Sequence, residues 1–190
     1  MKSIISAAMA ALLLLSASAA GAAEFTPAPN AGYVIDLDTP DNSMSLWQLD
    51  EMSGISALRA RVTFVRVGKK TAYGPATMLI LSNGQSEASL TFLLTPKGSV
   101  AMLSAKRGET ELGRELFLMP IDPKETFGLE IDWTPEGKVT VRIATKAVKD
   151  MGGDGFERHE VTMDGAPTQI KILGGGSETE FKPLTLGAAN

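Results

Sequence analysis

Leu58, Ala60, Val62 and Phe64 are apolar and alternate with Arg59, Arg61 and Thr63. The same period of two returns in three further stretches. Ala88, Leu90, Phe92 and Leu94 alternate with Ser89 and Thr91; Leu129, Ile131 and Trp133 with Glu130 and Asp132; Val139, Val141 and Ile143 with Thr140 and Arg142. A period of two fits a strand with one buried and one wet face, and no helix can satisfy it. Turn signals separate the strands at strand-length gaps: Asn83-Gly84, Pro96-Lys97-Gly98, Lys106-Arg107-Gly108, Pro135-Glu136-Gly137, Gly152-Gly153-Asp154-Gly155, Asp164-Gly165 and Gly174-Gly175-Gly176. That rhythm belongs to antiparallel strands in a sandwich or barrel, not to helices alternating with parallel strands. Helix is expected only as one turn at Asp122-Pro123-Lys124-Glu125, with Asp122 as cap and Pro123 in the first position.

One hairpin can be registered directly. Trp133 opposite Val139 sets Ile131 against Val141 and Leu129 against Ile143, all on the apolar side. On the other side Glu130 then meets Arg142, and Asp132 meets Thr140. A slip of one residue would oppose apolar to polar throughout, so the register is well specified. Asn83-Gly84 predicts a second hairpin between Met78–Leu81 and Glu87–Leu94.

The chain begins with the three parts of a secretory leader: Met1-Lys2, an apolar run from Ile4 to Leu15, and small residues through Ala23. Residues 1–23 are therefore expected to be a signal peptide, with 24–32 a Pro-broken lead-in and 33–187 a single domain. The apolar run is too short to span ~30 Å of hydrocarbon comfortably, and no later run approaches a transmembrane helix. Periplasmic or secreted placement follows from the leader. The chain has no cysteine, which excludes disulfides, thiolate metal sites and cysteine nucleophiles. With 22 acidic against 18 basic residues and a net charge of −4, nucleic acid and anionic membrane surfaces are poor partners.

The segment Phe127-Gly128-Leu129-Glu130-Ile131-Asp132-Trp133-Thr134-Pro135-Glu136-Gly137-Lys138-Val139 resembles a hairpin of the concanavalin A-like lectin and glucanase superfamily, which includes laminin-G-like domains. The strand succession from Arg59 to Leu94 and the closing stretches Ile170–Gly175 and Phe181–Leu184 are similar to that superfamily as well. The resemblance implies an all-β, antiparallel two-sheet jelly-roll sandwich that meets ligands on its concave sheet or rim loops.

Several constellations then compete. Glucanases of this fold carry Glu-x-Asp followed by a further Glu on one strand, and Glu130-x-Asp132 matches the first two positions. Carboxylates two apart on a strand share a face, roughly 6.5–7 Å apart. However, Thr134 and Pro135 stand where the further Glu belongs. The structural alternative pairs Glu130 with Arg142 and bonds Asp132 near Thr140. His159, the single histidine, has no Gly-x-Ser-x-Gly elbow to serve. Asp150 and Asp154 sit in a Gly-rich loop whose oxygens suit Ca²⁺, the one cofactor the sequence brings into view. Trp47 and loop residue Tyr73 are the candidate stacking platforms for a sugar, whereas Trp133 shares the apolar face and belongs to the core. The leading expectation is an exported, non-catalytic binding domain for a polysaccharide or an envelope protein. The rivals are a glycoside hydrolase or lyase using Glu130 and Asp132, and a laminin-G-like protein-interaction domain.

Overall fold

The computed structural model describes residues 25–69, 74–118, 120–152 and 154–189. In chain order the strands are β1 (Phe25–Asp38), β2 (Met44–Leu49), β3 (Ala57–Val67), β4 (Ala76–Ser82), β5 (Glu87–Leu93) and β6 (Val100–Arg107). They continue as β7 (Thr110–Leu116), β8 (Thr126–Trp133), β9 (Lys138–Ala144), β10 (Glu157–Thr162), β11 (Gln169–Gly175) and β12 (Ser177–Ala189). A short helix, α1 (Lys146–Asp150), lies between β9 and β10. Two six-stranded sheets result, ordered β1-β12-β3-β8-β9-β10 and β2-β11-β4-β5-β6-β7. Each of these pairings is antiparallel. This is the two-sheet jelly-roll sandwich that the resemblance implies, and it satisfies the antiparallel pattern that the alternation predicts.

The inward-facing residues of both sheets make one core. Phe64 and Phe127 from the first sheet meet Phe92 from the second, with ring centroids 5.3 to 5.6 Å apart in tilted or edge-on geometry. Such pairs add about 0.5–1.5 kcal/mol each beyond the area they bury. The β8–β9 hairpin has the register read from sequence, Trp133 against Val139, Ile131 against Val141 and Leu129 against Ile143. Trp133 is buried. The turn that fixes this register needs glycine at Gly137, where φ is +90° and an added Cβ would lie 2.2 Å from the Met163 carbonyl oxygen. The second hairpin, β4 to β5, also forms as expected.

Three details differ from the sequence reading. From Phe25 onward the lead-in is part of edge strand β1, which pairs with β12 from Phe25↔Ala189 to Asp38↔Glu178. Prolines are tolerated there because an edge strand needs only half its backbone groups for the ladder. Asp122–Glu125 is a hydrogen-bonded turn, not helical, because Lys124 has φ +62°. The helix forms instead at Lys146–Asp150, where Thr145 Oγ1 accepts the Val148 N–H at 3.2 Å and Val148 is buried. One turn is too short to show a helical period in sequence. The leader expected over residues 1–23 lies outside the described residues. Among the described residues no helix is long and apolar enough to cross a membrane.

The two outer faces differ in chemistry. On the first sheet the outward residues of β3, β8 and β9 include Arg59, Arg61, Glu130, Asp132 and Arg142. On the second, directly opposed residues across all six strands read Leu46, Leu173, Met78, Thr91, Met102 and Leu116.

Candidate functional site

Two neighbouring rows of residues on the outer face of the first sheet define the site. One row runs Thr185, Arg59, Glu130, Arg142 and Arg158 across β12, β3, β8, β9 and β10. The next runs Arg61, Gly128 and Ala144 across β3, β8 and β9. Gly128 and Ala144 offer almost no side chain, so the second row is sunken: a Cβ placed on Gly128 would come only within 3.5 Å of the Ala144 Cβ, an ordinary contact. The depression is a groove of about 370 Å³. Arg61 and Pro183 stand on one side, Lys149 and Phe156 from the β9–β10 connection on the other, and Arg59 and Glu130 close one end.

The charged row is internally compensated. Arg142 Nη1 donates to Asp132 Oδ2 at 2.6 Å and to Glu130 Oε2 at 3.1 Å. Arg59 approaches the same carboxylates from β3, its Nη1 2.7 Å from Asp132 Oδ1 and its Nε 3.6 Å from Glu130 Oε2. The Arg59 Nη1 hydrogens go to the carbonyl oxygens of Leu58 and Ile131, so Asp132 Oδ1 has a buried ion-pair partner but no aligned hydrogen bond. The four side chains are only 12 to 23% exposed, and the Arg59 guanidinium also covers the Phe25 ring at 4.9 Å. Ion pairs this far from bulk water are screened little and depend on each partner being present. Beyond the row, Glu160 is held at about 2, chiefly by its hydrogen bond to Lys138 and further by Arg158 and Thr140, against the opposing effect of burial.

A carboxylate pair fixed in this way is ill suited to acid–base work. A catalytic acid must be free to reach the glycosidic oxygen, whereas both carboxylates here are already engaged by the Arg59 and Arg142 guanidiniums. Glycoside cleavage also needs its two carboxyls on opposing sides of the scissile bond. Glu130 and Asp132 share Arg142, and Thr134 and Pro135 stand where the further Glu of the one-strand glucanase pattern belongs.

The expected site residues are thus divided. Glu130 and Asp132 come together, as anticipated, but the Asp132 carboxylate engages Arg142 and Arg59 rather than Thr140, whose hydroxyl donates to Glu160. Trp47 is half-buried on β2 and packs against the core, its ring 5.3 Å from that of Tyr33 at 66°. Tyr73 lies outside the described residues. Asp150 and Asp154 are exposed around the end of α1, and Asp154 Oδ1 accepts the Phe156 N–H at 3.1 Å, so it secures the loop that carries Phe156. Among the described residues, the carboxylates that converge within 4.8 Å are Asp36, Glu178 and Glu180. Lys182 Nζ is 2.6 Å from Glu180 and Arg66 Nε 4.0 Å from Glu178, which offsets much of their charge. His159 packs edge-on against Phe117 at 4.5 Å, with Glu157 3.1 Å from Nε2 and Glu115 3.4 Å from Nδ1.

Sequence reasoning missed Arg59, Arg61, Gly128, Ala144, Lys149 and Phe156 as groove residues. Extending the hairpin register by one pair beyond Leu129↔Ile143 gives Gly128↔Ala144 on the polar face, and that pair of small residues was a readable signal. Lys149 and Phe156 had none, because their placement depends on α1.

No family model and no curated protein matches the sequence. Solved structures do match in fold. A fructofuranosidase of Schwanniomyces occidentalis, complexed with fructose, is similar at TM-score 0.54 and 6% identity over 84% of this chain and 34% of that one. The present chain therefore spans about a third of that enzyme. The galectin LEC-6 of Caenorhabditis elegans is similar at TM-score 0.49 and 10% identity, over 80% of this chain and 96% of that one. A carbohydrate-binding module of Bacillus subtilis is similar at TM-score 0.48 and 9% identity, over 87% and 92%. Identities this low speak to architecture alone, and the architecture is the antiparallel two-sheet jelly-roll sandwich described above.

Proposed function

We propose that the protein is an exported, non-catalytic binding module that holds a glycan in the groove over Gly128 and Ala144. A jelly roll alone does not decide between a lectin and a hydrolase. The observation that carries the reading is the pairing of Glu130 and Asp132 with Arg59 and Arg142, which commits Glu130 at the groove and its strand neighbour Asp132 to fixed ion pairs. What remains suits a sugar. The floor admits a ring, Phe156 and Pro183 offer apolar surface to its C–H face, and Arg61, Thr126 and Thr185 offer hydrogen bonds to hydroxyls. The leader over residues 1–23 supports placement in the periplasm or outside the cell.

The test is a glycan array probed with the mature chain, followed by titration calorimetry on any ligand found. Phe156→Ala should weaken binding at least fivefold while the unfolding midpoint moves little. Hydrolysis or eliminative cleavage of a bound glycan would overturn the non-catalytic reading, and no binding to any glycan would overturn the site.

A second reading, protein interaction, is favoured by the band on the second sheet. Leu46 and Leu116 are 57% and 52% exposed at the two ends of a row that crosses six strands. Exposed leucines at both ends of one sheet face commonly mark a protein contact. If that face carries the function, Leu46→Lys with Leu116→Lys abolishes partner capture and leaves glycan binding intact.

A further inference from the structure

We infer that the groove selects an anionic glycan, one whose sugar units carry carboxylate or sulfate, over a neutral one. This deepens the glycan-binding reading and rests on it. The charges facing the groove are Arg59, Arg61, Lys149 and Glu130. Glu130 and its strand neighbour Asp132 are matched one for one by Arg59 and Arg142, so that set contributes no net charge. Arg61 and Lys149 are left over. Both are exposed, and neither has an ion-pair partner among the described residues.

Their positions make them a pair. Arg61 is on β3, directly opposite Gly128 on β8, which is directly opposite Ala144 on β9. Lys149 follows on α1, just past β9. The two cations therefore flank the sunken row, with β3 and β9, which α1 follows, roughly 10 Å apart, about the span of a disaccharide unit. An anion over the floor would face cations from both sides and meet no uncompensated carboxylate. The contrast with the rest of the molecule sharpens the point, since the chain as a whole is acidic at −4. An acidic protein that leaves two cations unpaired at opposite walls of a groove gains selectivity there, because its remaining surface repels polyanions.

The test uses the mature chain on an array of uronate-containing, sulfated and neutral glycans. Calorimetry then compares oligogalacturonate with its methyl ester, which keeps the sugar and removes the charge. The inference expects hits confined to anionic glycans, and an acid form at least tenfold tighter than its ester if uronates bind. Hits confined to sulfated glycans would identify sulfate as the anion and equally support the charge rule. Arg61→Gln and Lys149→Gln should each weaken binding about fivefold. Arg61→Lys should restore most of the first loss, and affinity should fall as NaCl rises from 50 to 500 mM. Neutral glycans bound as tightly as anionic ones would overturn the charge inference and leave the glycan-binding reading standing. Poly-glutamate bound as tightly as the glycans would overturn the glycan reading itself, and an array without hits would overturn both.

Discussion

Arg142 donates from one nitrogen, Nη1, to Asp132 at 2.6 Å, and the same nitrogen reaches Glu130 at 3.1 Å. One guanidinium on β9 thereby holds two carboxylates of β8 that would otherwise repel each other, and Arg59 supports them from β3. Arg142→Met keeps most of the volume and removes the charge. It leaves two carboxylates, 14 and 23% exposed, with Arg59 alone. Breaking a pair this buried costs about 3 kcal/mol, which urea unfolding would read as a lower midpoint at unchanged slope. Adding Asp132→Leu should recover much of the loss, because one charge of each sign is then gone. A single-variant cost below about 0.5 kcal/mol would mean that the network is screened as surface pairs are.

The groove makes a separable prediction through Gly128. Its backbone is not in the left-handed region, and an added methyl meets nothing closer than the Ala144 Cβ at 3.5 Å. Gly128→Ala should therefore stabilise the fold by about 0.5 kcal/mol, since glycine loses more freedom in a strand than alanine does. Gly128→Leu should fill the depression and abolish glycan binding. Comparing unfolding midpoints with binding isotherms for the two variants checks both parts; a leucine that binds normally would move the site elsewhere.

Glu160 links the outer face of β10 to pH. Its carboxyl is held at about 2 against an ordinary 4.5, chiefly by the hydrogen bond to Lys138. A depressed folded-state value means that this stabilisation is complete above about pH 4.5 and is lost as pH falls through about 2. The side chain is 33% exposed, so solvent screening reduces the contribution to about 1 kcal/mol. Glu160→Gln should cost about that much at pH 7, and its difference from the wild type should shrink steadily below pH 4.5 to a small remainder at about pH 2. Stability measured across pH 7 to 2 tests this, and a difference that does not change with pH would contradict it.

How much of this was legible in sequence follows from the range of each interaction. Leu129, Ile131 and Trp133 declared their partners because hairpin neighbours are close in sequence and a one-residue slip is ruinous. Glu130 was paired with Arg142 for the same reason. Arg59 was not placed beside them, because the β3–β8 pairing joins residues some seventy positions apart and no local pattern encodes it. Register alone sets Asp132 opposite Thr140, whereas its long-reaching arginine neighbours decide its contacts. Trp47 alternates with exposed Leu46 and Gln48, but which of the two faces was inward depended on the sheet it joined. Phe156 and Lys149 owe their place at the groove to one turn of helix that period analysis cannot see.

That turn yields the last prediction. Thr145 is fully buried, its backbone is extended at φ −94° and ψ 168°, and its hydroxyl oxygen accepts the Val148 N–H. Thr145→Val preserves shape and removes the acceptor, leaving a buried N–H without its cap at a cost of about 1 kcal/mol. Apart from its cap, this five-residue helix is held by the burial of Val148 and by the Lys146 N–H donating to Glu125, so the loss should appear as local opening rather than global unfolding. Lys149 would then spend part of its time away from the groove. Hydrogen exchange should quicken over residues 146–150 while the core strands β3 and β8 keep their protection, and affinity for the glycan should fall severalfold. Unchanged exchange at α1 would show that the cap is dispensable. Faster exchange with undiminished affinity would remove Lys149 from the binding site.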